Sequence, residues 1–214
     1  AFRTLKKAKK LFQQCPPVFR KNFEIKVAQL DAALLLFTNR IDNAISALSK
    51  IVYECKTTAL EHNNSLVNLG AYHFINNQPK AALQCLNEFS HSDNYYQKSM
   101  GVEWVLKKQL MEILLFSELG HIDIVDSRIK AFRRKYKGFD HHPIYSRAFG
   151  FLKIIDQMMK NKPEEKLQNS IDQNIVFLDN AEEDLQAMTY YAWVKSKVEK
   201  KRFYKVLLEL TSKD

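Results

Sequence analysis

The sequence predicts an all-α fold built from stacked antiparallel helix pairs. Three observations predict it. Apolar residues recur at the helical spacing of three and four along nearly the whole 214-residue chain. Glycine and proline number only five each, well below their usual combined share, so long helices with short links are expected. The chain also lacks the dense tight-turn punctuation that an all-β or α/β fold needs. With 46% hydrophobic residues it has a globular composition and enough length to bury a sizeable core.

The elements follow in order. Phe2, Leu5, Ala8 and Phe12 form one face of a first helix, ended by Pro16-Pro17. A second helix runs over roughly 18–38 and turns strongly apolar in "AALLLF". Asp42 is placed to cap a third, through "NAISALSKIVYE". Residues 60–76 and 79–90 make the next pair. Ser92 or Asp93 opens a long helix to Leu119, with Gly101 as a bend point. Gly120 ends that helix, and 122–137 form its partner, stopped at Gly138. His142 to Asn161 is another helix. Pro163 with Glu164 and Glu165 makes a favourable first turn for the next. Asn180 followed by Glu183 reads as a capping box for a helix to about 200, and "FYKVLLEL" closes the chain. The total is about ten helices in one domain over 1–214, with hairpins near 18–57, 60–90, 93–137 and 142–178 and closing helices over 181–211.

The hairpins share a template. With the turn residue T at Asn77, small or apolar residues fall at T−7 (Gly70), T+5 (Ala82), T+9 (Leu86) and T+12 (Phe89). With T at Asn39 the same offsets give Ala32, Ala44, Leu48 and Ile51; with T at Gly120 they give Ile113, Val125, Ile129 and Phe132. With T at Lys162 they give Ile155, Leu167 and Ile171 and then fail at Asn174. Ala32, Ala44, Gly70, Ala82, Ile113 and Val125 are therefore expected to pack where paired helices cross.

The stretch "NLGAYHFINNQPKAALQCLNEF" resembles a tetratricopeptide repeat, through Leu69, Gly70, Ala82 and Phe89. The chain departs from that pattern. Its turns lie 38 and 43 residues apart, Ala28, Leu66 and Gln109 stand at the tryptophan position, and the terminal proline is missing. The resemblance is thus to a degenerate tetratricopeptide-like array over roughly 18–178. "LKKQLMEILLFSELGHIDIVDSRIKAFRRKYK" is also similar to bacterial tetratricopeptide-like proteins of no assigned function. The first helix, with no partner before it, leads to the further expectation that the natural protein continues upstream with more helical pairs.

Candidate chemistry is sparse. No dinucleotide fingerprint, phosphate loop, HExxH, nucleophile elbow or calcium loop is present. His141-His142 has no third ligand nearby and reads as a turn, and His73 reads as a core histidine. Glu164-Glu165 and Glu182-Glu183-Asp184 sit in first turns, which the helix dipole explains. Of Tyr95-Tyr96 and Tyr190-Tyr191, adjacent on a helix, one of each pair is expected in the core. No cofactor or metal is expected and the leading reading is not an enzyme, with an enzyme of unrecognised site kept as the second alternative.

Cys15, Cys55 and Cys85 are odd in number and widely spaced, which points to free thiols and an intracellular, cytoplasmic protein. No apolar run is long enough to span a membrane. The net charge of +9 leaves nucleic acid or another polyanion as a second class of partner, with "RIKAFRRKYK", "KSKVEKKR" and "KKAKK" as its basic runs. The leading expectation is a scaffold that binds a protein, as a peptide or helix. The tetratricopeptide resemblance implies a concave binding surface that includes Lys26, Gln29, Phe37, Asn64, Phe74, Lys107, Leu110 and Lys160. The competing expectation is that these side chains fill the array's own interior, with the exposure of Phe37, Phe74 and Leu110 deciding between the two.

Overall fold

Short links between amphipathic helices force each helix to fold back on the one before it. The computed structural model describes residues 7, 10–160, 167, 169–171 and 185–211. Among these the protein is all-α, with no strand. The described residues fall into two compact units, one up to Phe89 together with Thr211 and the other over Ser90–Leu210.

The first unit contains α1 (Pro17–Phe37), α2 (Ile41–Tyr53), α3 (Ala59–Ile75) and α4 (Pro79–Asn87). Each packs on its neighbour in the chain, and α1 also touches α3. Its core draws on Ala32 and Leu36 from α1, Ala44, Leu48 and Ile51 from α2, and Ala82, Cys85 and Leu86 from α4. The centre is α3, which buries Leu66, Val67, Leu69, Ala71, Tyr72, Phe74 and Ile75, nearly its whole circumference. Gly70 permits the approach of α4: a Cβ added there would lie 3.4 Å from the Ala82 carbonyl oxygen and 3.5 Å from Cys85 Cβ. Thr58 starts α3 with a capping box. Its hydroxyl accepts from the Glu61 N–H, and its own N–H donates to the Glu61 carboxylate at 2.9 Å.

The second unit contains α5 (Asp93–Met100), α6 (Val102–Glu118), α7 (Ile122–Lys135), α8 (Pro143–Met159), α9 (Leu185–Val198) and α10 (Phe203–Thr211). Packed together are α5 on α6, α6 on α7 and α8, and α7 on α8. The tie from α9 to α6 is made by the Tyr190 hydroxyl, which donates to the Lys107 carbonyl at 2.6 Å, and by the Trp193 indole N–H, which donates to Glu118 at 2.9 Å. Tyr190 also stacks on Phe151 of α8, at 5.3 Å between ring centroids.

The turns share one geometry. Asn39, Asn77 and Gly120 have φ of 59°, 60° and 76°, the left-handed region that ends helices. In each, the N–H one residue later closes on the carbonyl four residues before the turn residue: Arg40 to Leu35, Gln78 to His73 and His121 to Phe116, all at 2.9 Å. Lys200 repeats the device between α9 and α10, with φ 53° and Lys201 N–H on the Ser196 carbonyl at 3.0 Å.

Several expectations are corrected. The N-cap of α2 is Arg40; Asp42 lies inside the first turn, where its carboxylate accepts from the Asn76 amide at 2.9 Å. The long helix opening at Ser92 breaks into α5 and α6, because Gly101 adopts φ 92° and ψ 162°, outside any helix. The first helix (Phe2, Leu5, Ala8), the Lys162 turn, the Pro163 start and the Asn180 cap lie outside the described residues, although 10–14 are helical.

Candidate functional site

The residues expected on a concave surface divide by burial. Phe74 is 2% and Leu110 7% exposed, so both belong to the core and offer nothing to a partner. Phe37, Gln29, Asn64 and Lys107 are half-buried, while Lys26 and Lys160 are exposed. Burial lowers the pKa of Lys107, and Glu103 works against that shift. Lys160 is held by Asp156, four residues before it, at 2.8 Å. Gln29 donates to the Ser65 hydroxyl at 2.7 Å, so the approach of α1 to α3 is closed by the protein's own hydrogen bond. The open-groove expectation is corrected at Phe74 and Leu110. The reason is that α3 and α6 are apolar over most of their circumference, and such helices become interior elements. Ala32, Ala44, Gly70, Ala82, Ile113 and Val125 all lie in the interior.

A partly exposed apolar row appears on α1 instead. Ala32 and Leu36 face the core. On the opposite side, Phe23, Val27, Leu30, Leu34 and Phe37 follow one another at spacings of four, three, four and three. Phe23 is 48% and Leu30 51% exposed, and the other three are half-buried. That alternation is the a/d pattern of a helix that packs against another helix. Lys26 lies beside the seam, its ammonium 5.8 Å from the Phe23 ring.

The basic runs separate by what already neutralises them. In the closing helices Lys195 and Lys201 meet Glu199 at 3.5 and 2.7 Å, and Lys197 meets Glu118 at 2.7 Å. On α7, Lys130 pairs with Asp126 at 2.6 Å, and Arg128 pairs with Glu112 while lying over the Phe116 ring. Arg133, Arg134 and Lys137 are exposed, and no carboxylate among the described residues forms a salt bridge with them. Arg133 and Arg134 lie in the last turn of α7, and Lys137 follows just beyond its end.

One charged cluster is internal. Lys108, 7% exposed, bridges Asp93 at 3.2 Å and Glu112 at 2.7 Å, and Gln109 donates to the other Asp93 oxygen at 2.6 Å. Burial opposes the charge on Asp93, but Gln109 and Lys108 outweigh it and hold the carboxyl below its usual range. Burial likewise opposes the charge on Lys108, and Glu112 and Asp93 outweigh it and raise its pKa. Every group here has a partner in place, so the cluster clasps α5, α6 and α7 together. Burial alone raises Tyr72 and Tyr190, and burial with nearby Glu88 pushes Cys85 up to about 11. A thiol held that high is a poor nucleophile.

Tyr96 and Tyr190 lie in the core, whereas Tyr95 is exposed and Tyr191 half-buried. His73 is half-buried on Gln78 at 2.7 Å, and His141 is exposed beside Asp140 at 3.7 Å. A recess of 550 Å3 beside α7 is lined by the single stretch Gly120 to Ile124, so it gathers no polar groups from separate elements. Among the described residues no three His, Cys, Asp or Glu come together as metal ligands, and no helix is long and apolar enough to cross a membrane.

Sequence reasoning missed the α1 seam, although its spacing was readable in "FEIKVAQLDAALLLF". It was hidden because the same helix also carries a core face, which blurs the amphipathic contrast. Compared with known families, curated proteins and solved structures, the chain matches none.

Proposed function

We propose that the chain is a non-enzymatic protein-interaction scaffold, a degenerate tetratricopeptide-like helical array, and that it receives a partner helix on the outward face of α1. The observation that carries this is the apolar row of Phe23, Val27, Leu30, Leu34 and Phe37, exposed at Phe23 and Leu30 and half-buried at the other three, on a helix whose other side is already packed. Exposed apolar residues in a row, on a preformed helix, suit the helix-to-helix mode of recognition. The shared turn geometry at Asn39, Asn77 and Gly120 supports the repeat reading. The three free cysteines, two of them only half-buried, support a reducing, intracellular setting. The test is a photo-crosslinking residue placed at Leu30 of the full chain in its native cells. Protein adducts are expected from position 30 and none from the exposed Asn94. Absence of any protein adduct at 30 counts against the reading.

A second reading, binding of nucleic acid or another polyanion, is favoured by the open cations Arg133, Arg134 and Lys137. It predicts retention on heparin that weakens steeply with salt and falls in Arg133→Glu/Arg134→Glu. Retention unchanged by that double substitution would remove it.

A further inference from the structure

We propose that the corner between α7 and α8 binds single-stranded nucleic acid, with an unpaired base stacked on Phe139 and the neighbouring phosphates held by Arg133, Arg134, Lys137 and Arg147. The inference rests on the second reading above and names its ligand. The ring supplies the first argument. Phe139 is 50% exposed, yet it ends a chain of aromatic contacts rooted in the core. Its ring centroid lies 5.3 Å from that of Tyr145, Tyr145 lies 5.1 Å from Tyr136, and Tyr136 lies 4.7 Å from Phe132. Phe132 and Tyr136 are buried. The inner rings thus hold the outer one in place, so little ordering is left for the moment of binding. The link itself is tight. Gly138 turns the chain at φ 86°, the Phe139 N–H donates to the Tyr136 carbonyl at 3.1 Å, and the His142 N–H donates to the Phe139 carbonyl at 2.9 Å.

The charges supply the second argument. Residues 133–147 carry Arg133, Arg134, Lys135, Lys137 and Arg147, all exposed, against a single carboxylate, Asp140. Asp140 lies beside His141 at 3.7 Å, and the Lys135 ammonium lies 5.2 Å from the Tyr136 ring. The other four cations form no salt bridge with any carboxylate among the described residues. The helix dipole accounts for Arg133 and Arg134, in the last turn of α7. It does not account for Lys137 beyond that turn, for Arg147 in α8, or for the exposed ring that stands between them in the chain. Cations around an aromatic platform are what a single strand needs: its phosphates take the charges and its unpaired bases take the ring. A duplex keeps its bases stacked on one another and offers no face to Phe139. An acidic peptide would use the cations and leave the ring idle. One ring and four cations make a short site, so binding is weak and falls steeply with salt.

The experiment is fluorescence anisotropy of the full chain with labelled oligo-dT and oligo-rU of about 20 nucleotides, long enough to cover such a site, and with a duplex of the same length. Strand binding is expected, and the tighter of the two sugars identifies the source. Phe139→Leu should weaken strand binding about tenfold, the loss of one stacked base, with the helical spectrum intact and with duplex binding and heparin retention unchanged. Phe139→Trp, which keeps an aromatic face, should bind the strand as the unsubstituted chain does. Arg133→Ala/Arg134→Ala should flatten the slope of log affinity against log salt by about 1.4, two phosphate contacts at about 0.7 each. No strand binding, or strand binding that Phe139→Leu leaves unchanged, overturns the site. So does an equal loss on duplex or heparin, or a loss in Phe139→Trp as large as in Phe139→Leu. The polyanion reading itself fails on a different result, heparin retention unchanged in Arg133→Glu/Arg134→Glu.

Discussion

Lys200 holds φ 53°, a conformation that costs a side-chain-bearing residue about 1 kcal/mol and glycine nothing. Lys200→Gly is therefore expected to stabilise the protein by about 1 kcal/mol in urea unfolding. Asn39 and Asn77 adopt the same conformation and were legible in the sequence, because asparagine tolerates it; lysine has no such preference, and the turn at 200 was not legible. Gly70 stands 3.4 Å, by its absent Cβ, from Ala82. An alanine there makes ordinary contact and favours the helix, so Gly70→Ala should be neutral or stabilising by up to about 1 kcal/mol. Gly70→Leu overpacks the crossing of α3 and α4 and should cost about 1–3 kcal/mol. The Lys108 cluster carries the pH dependence. Asp93 has a folded pKa below its ordinary 3.8, so its stabilisation is present above that value and lost as pH falls through the folded one. Lys108 is raised above 10.5, so its share is present below that value and lost as pH rises through the folded one. Lys108→Met should cost about 2 kcal/mol or more at neutral pH, the partial exposure of Asp93 tempering the loss. Urea midpoints measured from pH 3 to 7 should then rise less steeply than in the unsubstituted chain, and an unchanged slope would remove the cluster from the account.

At the scale of the element, the position of Phe74 separates two accounts of α3. On an open groove, Phe74→Ala would spare the fold. In the interior, at 2% exposure, it should destabilise the first unit by about 3–5 kcal/mol, read from thermal unfolding. Leu30→Glu is expected to do the opposite, changing stability by about 0.5 kcal/mol or less because the side chain is half exposed. Helix positions were legible from period and turn residues, since those are local properties. What was not legible is which apolar face a neighbour covers. In α1 the seam at Phe23 and Leu30 and the core face at Ala32 and Leu36 have equal claims in sequence, and only packing on α2 tells them apart. The break at Gly101 was legible as a weakness but not as an interruption, because a glycine inside a helix and a glycine between two helices look alike until φ is known.

For the whole molecule, circular dichroism is expected to show mostly helix, and a β contribution above about a tenth of the residues would contradict the fold. The division after Phe89 was invisible in the sequence because the link over 90–92 carries neither proline nor glycine, so nothing in composition marks a boundary. Each unit has its own buried core, and among the described residues the outward side of α1 carries an apolar row exposed at Phe23 and Leu30. The claim that this face joins protein to protein is tested most directly by the photo-crosslinking residue at position 30 of the full chain in its native cells, with the exposed Asn94 as the comparison position. Discrete protein adducts are expected from position 30, and Phe23→Glu in the same face should weaken them with the helical spectrum intact. No protein adduct at 30, or adducts no different from those at 94, would contradict it.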